Sequence, residues 1–386
     1  MRTKATAALF ILIIIAGSIP IALGERGSRY LYVSTYTLES RGEDGYHLTE
    51  DDATIPLFVN NSGQTVRLWN TTHSVAREFV DDDGNRLAVL DLPQDVPPHA
   101  NFTFSVTYQI ETVDQPGPEI DVTDAGPTSA IPPEIVEEFC AETETFTTGD
   151  EAIQALARRL AANETTVLGA VSGLLDWLVA NVSYSSFEVP RYPNETLAEG
   201  RGDCDDQAIL LVTMCRALGI PALLQVGVVF SEGIEGERSS WGGHLRIEQR
   251  GVGWHGWALV YIPPWGWLPI DMTLQESREP LSMIMEAPEY RGYIVTCLNI
   301  SKQEYIGDSL RSRELLMSSD LYITASDAMI KRSQGRVWTM RYAVFALSMG
   351  AVAVIVIVFL SRRRSEIGFK GAHRDWTMGV VADAHP

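Results

Sequence analysis

The sequence predicts an α+β protein with apolar, membrane-directed segments at its two ends. Three observations predict it. Short β-branched and aromatic stretches broken by Asn, Asp and Gly run through residues 27–120 and read as a small β-sandwich. Helical spacing takes over in a second region, 126–320, and then gives way to aromatic strands. Uncharged apolar runs stand near each terminus.

The elements follow in chain order. Residues 1–24 carry Arg2 and Lys4 ahead of Leu9-Phe10-Ile11-Leu12-Ile13-Ile14-Ile15, the layout of a signal peptide or signal anchor, with Gly24 as a possible cleavage point. Strands are expected at 29–36, 55–59, 65–69 and 102–110, the last alternating cleanly through Phe102, Phe104, Val106, Tyr108 and Ile110. Asp114-Gln115-Pro116-Gly117-Pro118 marks a boundary. Asp150 caps a helix over 151–161, and Leu168, Val171, Leu174, Leu175 and Leu178 recur at helical spacing over 164–179. A strongly apolar helix begins at Cys204 and stops at Gly219-Ile220-Pro221. A strand from His255 to Ile262, a Pro263-Pro264-Trp265-Gly266 turn and Trp267 to Asp271 form a hairpin. Tyr342 to Leu360 is apolar enough for a transmembrane helix (342–360), and Arg362, Arg363 and Arg364 open a cytoplasmic tail, 361–386.

A formal charge of −20 excludes nucleic acid as a partner, since phosphate binding needs a basic face. Asn-X-Ser/Thr sequons begin at Asn60, Asn70, Asn101, Asn163, Asn181, Asn194 and Asn299, seven of the nine asparagines. All fall between the two apolar runs, so the sequence predicts a glycosylated exterior region anchored in the cell membrane, its active domain on the extracellular face. An exterior location permits disulfides. Cys204 and Cys215, however, are separated by roughly 16 Å along one helix, which leaves Cys140–Cys297 as the bridge to entertain among four cysteines.

The chemistry centres on Gly200-Arg201-Gly202-Asp203-Cys204-Asp205-Asp206-Gln207-Ala208. Cys204 in a first helical turn meets the positive end of the helix dipole, which favours thiolate. Asp203, Asp205 and Asp206 oppose this, because neighbouring negative charge raises a thiol pKa. The thiol therefore needs a histidine. His255 fits, because a hairpin centred near Pro263 sets Asp271 opposite it on one face, giving nucleophile, base and orienting carboxylate. His244 is the rival base, without a carboxylate at hairpin spacing. Trp254 or Trp257 is a candidate cleft wall, and Cys215 reads as core. No cofactor is expected. Cysteines and histidines show no zinc spacing, and the Asp cluster lacks the later Gly and Glu of a calcium loop.

Three motifs occur in order: Gly202-Asp203-Cys204 at a helix start, His255-Gly256-Trp257, and Asp271-Met272-Thr273. Together with the upstream Asp176-Trp177-Leu178-Val179-Ala180-Asn181-Val182-Ser183-Tyr184, they resemble the transglutaminase-like superfamily over roughly residues 130–300. The resemblance implies a papain-like core, a cysteine-bearing helix packed on an antiparallel sheet, with Cys204 as nucleophile, His255 as base and Asp271 as its partner. Gly256 stands where that pattern has Ala, and Met272 where it has Pro. The expected activity is thiol acyl transfer on amide bonds of an exterior peptide, protein or cell-envelope substrate. Water as the abundant acceptor favours protease or amidase action over cross-linking. The alternative is a non-catalytic surface-binding or structural module on the same fold.

Overall fold

The computed structural model describes residues 27–275 and 277–331. The first region supplies eight strands: β1 (Gly27–Ser40), β2 (Tyr46–His47), β3 (Thr54–Pro56), β4 (Gln64–Thr71), β5 (Val75–Val80), β6 (Arg86–Leu90), β7 (Asp95–Val96) and β8 (Asn101–Val113). Three helices follow, α1 (Pro133–Phe139), α2 (Glu151–Leu160) and α3 (Val167–Asn181). Short β9 (Ser183–Tyr184), α4 (Pro193–Glu199) and β10 (Arg201–Gly202) lead to α5 (Cys204–Ala217). The chain then forms β11 (Ala222–Ser240), β12 (Leu245–Ile262), β13 (Gly266–Ile270), α6 (Pro280–Met285), β14 (Ile294–Ile300), α7 (Tyr305–Met317) and β15 (Leu321–Lys331).

One eight-stranded sheet runs through both regions in the order β14-β11-β12-β15-β1-β8-β4, with β13 added to β12. The terminal strand β15 joins them: it lies antiparallel to β1 and parallel to the first half of β12. The Asp114–Pro118 boundary therefore separates stretches of chain rather than sheets. Within residues 27–120, β1, β8 and β4 belong to this shared sheet, while a separate three-stranded β3-β6-β5 sheet packs its Ile55 and Leu87 into the same core as Tyr32, Phe58 and Tyr108. The suture also has a polar lock. The Asp327 carboxylate, buried in β15, accepts from Tyr32 at 2.8 Å, Ser34 at 2.6 Å and the Trp254 indole at 2.9 Å. Those three donors satisfy a carboxylate that burial alone would penalise.

Helix α5 is the centre of the second region. It packs on β11 and β12 under α2, α3 and α4, and every residue from Cys204 to Arg216 is buried. Ile209, Leu210, Leu211, Val212 and Met214 are wholly hidden, each contributing about 1.5–3 kcal/mol relative to exposure. The helix ends in paired bonds, Ile220 N–H to Cys215 and Gly219 N–H to Arg216, at 2.9 Å each, which satisfy carbonyls the last turn leaves open. The α2 cap forms as expected, Asp150 accepting from Ala152 at 2.9 Å and Ile153 at 3.0 Å.

All four cysteines are free thiols. The Cys140–Cys297 bridge entertained from the sequence does not form, for a geometric reason. Cys140, at the end of α1, lies near Cys215 and Arg216, whereas Cys297 is buried in β14 within reach of Asp327. Among the described residues no helix is long and apolar enough to cross a membrane. The segments 1–24, 342–360 and 361–386 lie outside the described residues.

Candidate active site

The site forms where the first turn of α5 meets the middle of β12. Gly202, just ahead of the helix, permits this turn to close: a Cβ there would stand 2.7 Å from the Asp206 Cβ. Asp206 reaches back to the Asp203 amide at 3.1 Å, half of a capping box, and also accepts from the Arg191 amide at 2.7 Å. Asp205 accepts from the Tyr305 hydroxyl at 2.8 Å. Gln207 donates to the Gly202 carbonyl at 2.9 Å. The turn that presents Cys204 is thus tied to the chain before it and to α7.

Gly256 sets how closely helix and strand approach. A Cβ on it would meet the Asp205 Cβ at 2.9 Å and the Asp205 Cα at 3.2 Å. The absent methyl is the space the helix start occupies, and the Gly256 amide is directed at the Cys204 sulfur. Cys204 belongs to a small buried cluster with Val229, Trp257, Leu274 and Ile294, against which the partly buried Ile234 and Tyr293 pack. Cys204 is only 3% exposed, and besides these apolar neighbours the buried carboxyls of Asp203 and Asp205 lie within 4.8 Å of its sulfur.

His255 and Asp271 come together, by a different register from the one expected. The hairpin pairs Ala258 with Ile270 and is centred on Pro264, so Asp271 lies diagonally across from His255 rather than directly opposite. A diagonal neighbour on the same face remains within reach of a long side chain. The His255 Nε2 lies 2.5 Å from Asp271 Oδ2, and both residues are buried. Asp271 Oδ1 accepts the amides of Thr273 at 2.8 Å and Leu274 at 3.0 Å. Burial would raise the Asp271 pKa, but the His255 charge and these hydrogen bonds prevail and hold it at about 2. The other ring nitrogen, Nδ1, is buried and has no hydrogen-bond partner among the described residues. Trp257 stacks on the His255 ring at 5.7 Å and also belongs to the Cys204 cluster.

The remaining sequence candidates separate. Trp254 points to the opposite face and serves Asp327. His244 stacks on Tyr322 at 4.2 Å and its Nδ1 lies 2.8 Å from the Leu321 carbonyl. It stands at the far end of β12, roughly 35 Å of strand away from His255. Cys215 is core. Of the sequon asparagines, Asn60, Asn70, Asn101, Asn163, Asn181 and Asn194 are exposed, whereas Asn299 is half-buried in β14 and accepts from Gln225 at 2.7 Å.

Two features escaped the sequence. The acids of the helix start are not solvated: Asp203, Asp205 and Asp206 are all buried. Burial, then the Asp205 charge, raises the Asp206 pKa to about 8. Burial, then Asp205 and Asp203, pushes the Cys204 thiol well above its usual range, against the pull of the Gly256 amide. The second is Glu289, whose carboxyl is buried beside Asp271. It comes from the turn before β14 and carries no motif. Two clusters have ligand atoms mutually within 4.8 Å, Asp203–Cys204–Asp205 and His255–Asp271–Glu289. Both consist of, or touch, the reacting groups, so a metal there would compete with the thiol chemistry.

Residues 154–272 match the family model of the transglutaminase-like superfamily. Among solved structures, the chain is similar to a candidate cysteine protease from Cytophaga hutchinsonii at 17% identity and TM-score 0.45, covering 81% of this chain and 93% of that one. A candidate protease from Parabacteroides distasonis is 12% identical with a TM-score of 0.26, the match covering 71% of this chain and 68% of that one. Legionella pneumophila LapG is 16% identical with a TM-score of 0.22, covering 44% of this chain and 96% of that one. No curated protein sequence matches the chain significantly.

Proposed function

We propose, from the premise that residues 154–272 form a transglutaminase-like core, that the protein is a thiol acyl-transfer enzyme acting on amide bonds. The observation that carries this reading is the division of the His255 ring. One nitrogen is committed to Asp271 at 2.5 Å, and the other is buried and unclaimed on the strand against which the Cys204 turn packs. A histidine held by a carboxylate on one side and open on the other is arranged to exchange a proton with a nucleophile.

In the proposed cycle Nδ1 takes the Cys204 thiol proton, and the thiolate adds to an amide carbonyl. The imidazolium, stabilised by ionised Asp271, gives the proton to the departing amine as the C–N bond breaks, leaving a thioester on Cys204. A water or an amine then adds to the thioester, losing a proton to His255, and the thiol is released with that proton. The sulfur and Nδ1 are not hydrogen-bonded in this conformation. Such contacts commonly tighten only with substrate in place. The Cys204 amide is one oxyanion donor, at an open helix start.

We favour hydrolysis, so protease or amidase action, over cross-linking. We further propose that the enzyme is anchored in the cell membrane and works on the outer face, on an exterior peptide, protein or cell-envelope component. The apolar runs at 5–24 and 342–360 and six exposed sequon asparagines support this placement. The test compares the full-length protein with Cys204→Ala on peptide substrates, with and without a fluorescent primary amine. Wild type should cleave amides or incorporate the amine, and the variant should do neither. A variant that kept full activity would sink the reading and leave a non-catalytic module as the better account.

A further inference from the structure

Glu289 has no part in the cycle above, yet it lies against the residues that run it. Both of its carboxyl oxygens are buried and meet no hydrogen-bond donor among the described residues. One of them lies within 4.8 Å of ligand atoms of both Asp271 and His255. The side chain is held there by its backbone turn: Tyr290 N–H bonds to Ala287 at 3.1 Å, Arg291 N–H to Pro288 at 2.9 Å, and the Tyr290 carbonyl accepts from Gln115 at 2.8 Å. The titratable groups facing it are Asp271 and His255 from the β12–β13 hairpin and Tyr290 from its own turn. No lysine or arginine among the described residues pairs with it.

Two carboxyls in contact, away from water and sharing one histidine, cannot both ionise without a second cation. Asp271 is the one that ionises, because it has the imidazole and the Thr273 and Leu274 amides. Glu289 has only its own backbone amide to favour its charge, against burial and the Asp271 carboxylate, and a proton removes the conflict. It neutralises Glu289 and turns one of its oxygens into a donor that can bond to the Asp271 carboxylate.

We propose that Glu289 holds its carboxyl proton at neutral pH and donates it to Asp271, making Glu289 a positioning residue for the His255–Asp271 pair. This rests on the thiol-enzyme reading for its purpose but not for its protonation. Burial followed by the Asp271 charge raises the Glu289 pKa well above the usual carboxylate range, consistent with the geometry. The donated bond fixes the Asp271 carboxylate and draws off part of its charge. The pair then stabilises an imidazolium without holding its proton too tightly to return it to a leaving amine.

The test uses the full-length protein in two arms. In the first, the infrared difference between wild type and Glu289→Gln at neutral pH should show the loss of a protonated carboxylic acid band. Loss of an ionised carboxylate band instead would overturn the proposal, as would a divalent metal bound stoichiometrically in place of the proton. The second arm follows the pH at which iodoacetamide begins to alkylate Cys204. Glu289→Gln keeps a neutral donor and should leave that pH unchanged. Were Glu289 ionised, removing its negative charge from beside His255 and Asp271 would shift that pH. Glu289→Ala removes the donor and should slow alkylation at neutral pH roughly tenfold or more. Equal profiles for Glu289→Ala and Glu289→Gln would overturn the positioning role. An ordinary thiol profile in wild type with the acid band present would overturn the thiol-enzyme reading alone. A missing acid band would overturn this proposal whatever Cys204 does.

Discussion

Gly256→Ala is the smallest change that should separate the helix start from its strand. The added Cβ would lie 2.9 Å from the Asp205 Cβ and 3.2 Å from its Cα, where ordinary contact begins at 3.4 Å. The obstacle is backbone and Cβ, not the end of a flexible side chain, and Asp205 is tethered to Tyr305 at 2.8 Å. The first turn of α5 must therefore retreat by about 0.5 Å, and overpacking of this kind costs about 1–3 kcal/mol. Cys204 rides on that turn. If a misplacement of about 1 Å can cost a hundredfold in rate, half of that costs about tenfold. The assay is paired: denaturant unfolding of full-length wild type and Gly256→Ala, and iodoacetamide alkylation of Cys204 at neutral pH. A variant with unchanged stability and unchanged alkylation would refute the close packing of α5 on β12.

Three further outcomes follow from the same geometry. Asp271→Asn removes the charge that stabilises His255 imidazolium, so Cys204 alkylation at neutral pH should fall by about one to three orders of magnitude; an unchanged rate would exclude Asp271 from the site's electrostatics. Asp206 has a folded pKa near 8, raised from 3.8 chiefly by burial. Its contribution to stability is thus full below about pH 4 and is lost as pH rises toward 8. Unfolding midpoints of wild type should decline across that window more steeply than those of Asp206→Asn, and parallel slopes would contradict this. Glycosidase treatment of protein from a glycosylating host should increase gel mobility. Asn299→Gln should leave mobility unaltered, because Asn299 is half-buried and bound to Gln225; a shift on that substitution would contradict its placement.

Local chemistry made much of the site readable. Helix α5 announces itself through Gly202, the apolar run and the Gly219-Ile220-Pro221 stop, and Cys204 falls at its start as that pattern requires. His255 and Asp271 were legible as a hairpin pair, but their register depended on where the Pro263-Pro264-Trp265-Gly266 turn is centred. One residue of difference there moved Asp271 two positions along the strand. Long-range pairing was the weaker reading. Residues 321–331 carry no clean period-two pattern, and nothing local says that this strand inserts between β12 and β1 and makes one sheet of two regions. Burial of charge was the other gap. Asp203, Asp205 and Asp206 look like solvated helix-start acids in sequence, and only tertiary packing from α4 and α7 encloses them. Glu289 left no local trace, because its role depends on a turn that approaches Asp271 only in the folded chain.

The central claim is that His255 activates Cys204, and the pH profile of Cys204 alkylation in the full-length protein tests it most directly. The profile's shape, unlike its absolute rate, does not depend on how well burial shields the sulfur. Burial and the neighbouring acids alone set the thiol well above 9.0, whereas a thiolate–imidazolium pair forms below about pH 7.5. The account predicts that wild type begins to react in that lower range and that His255→Ala moves the onset above pH 9. A wild-type onset already above pH 9, or one that His255→Ala leaves in place, would contradict it.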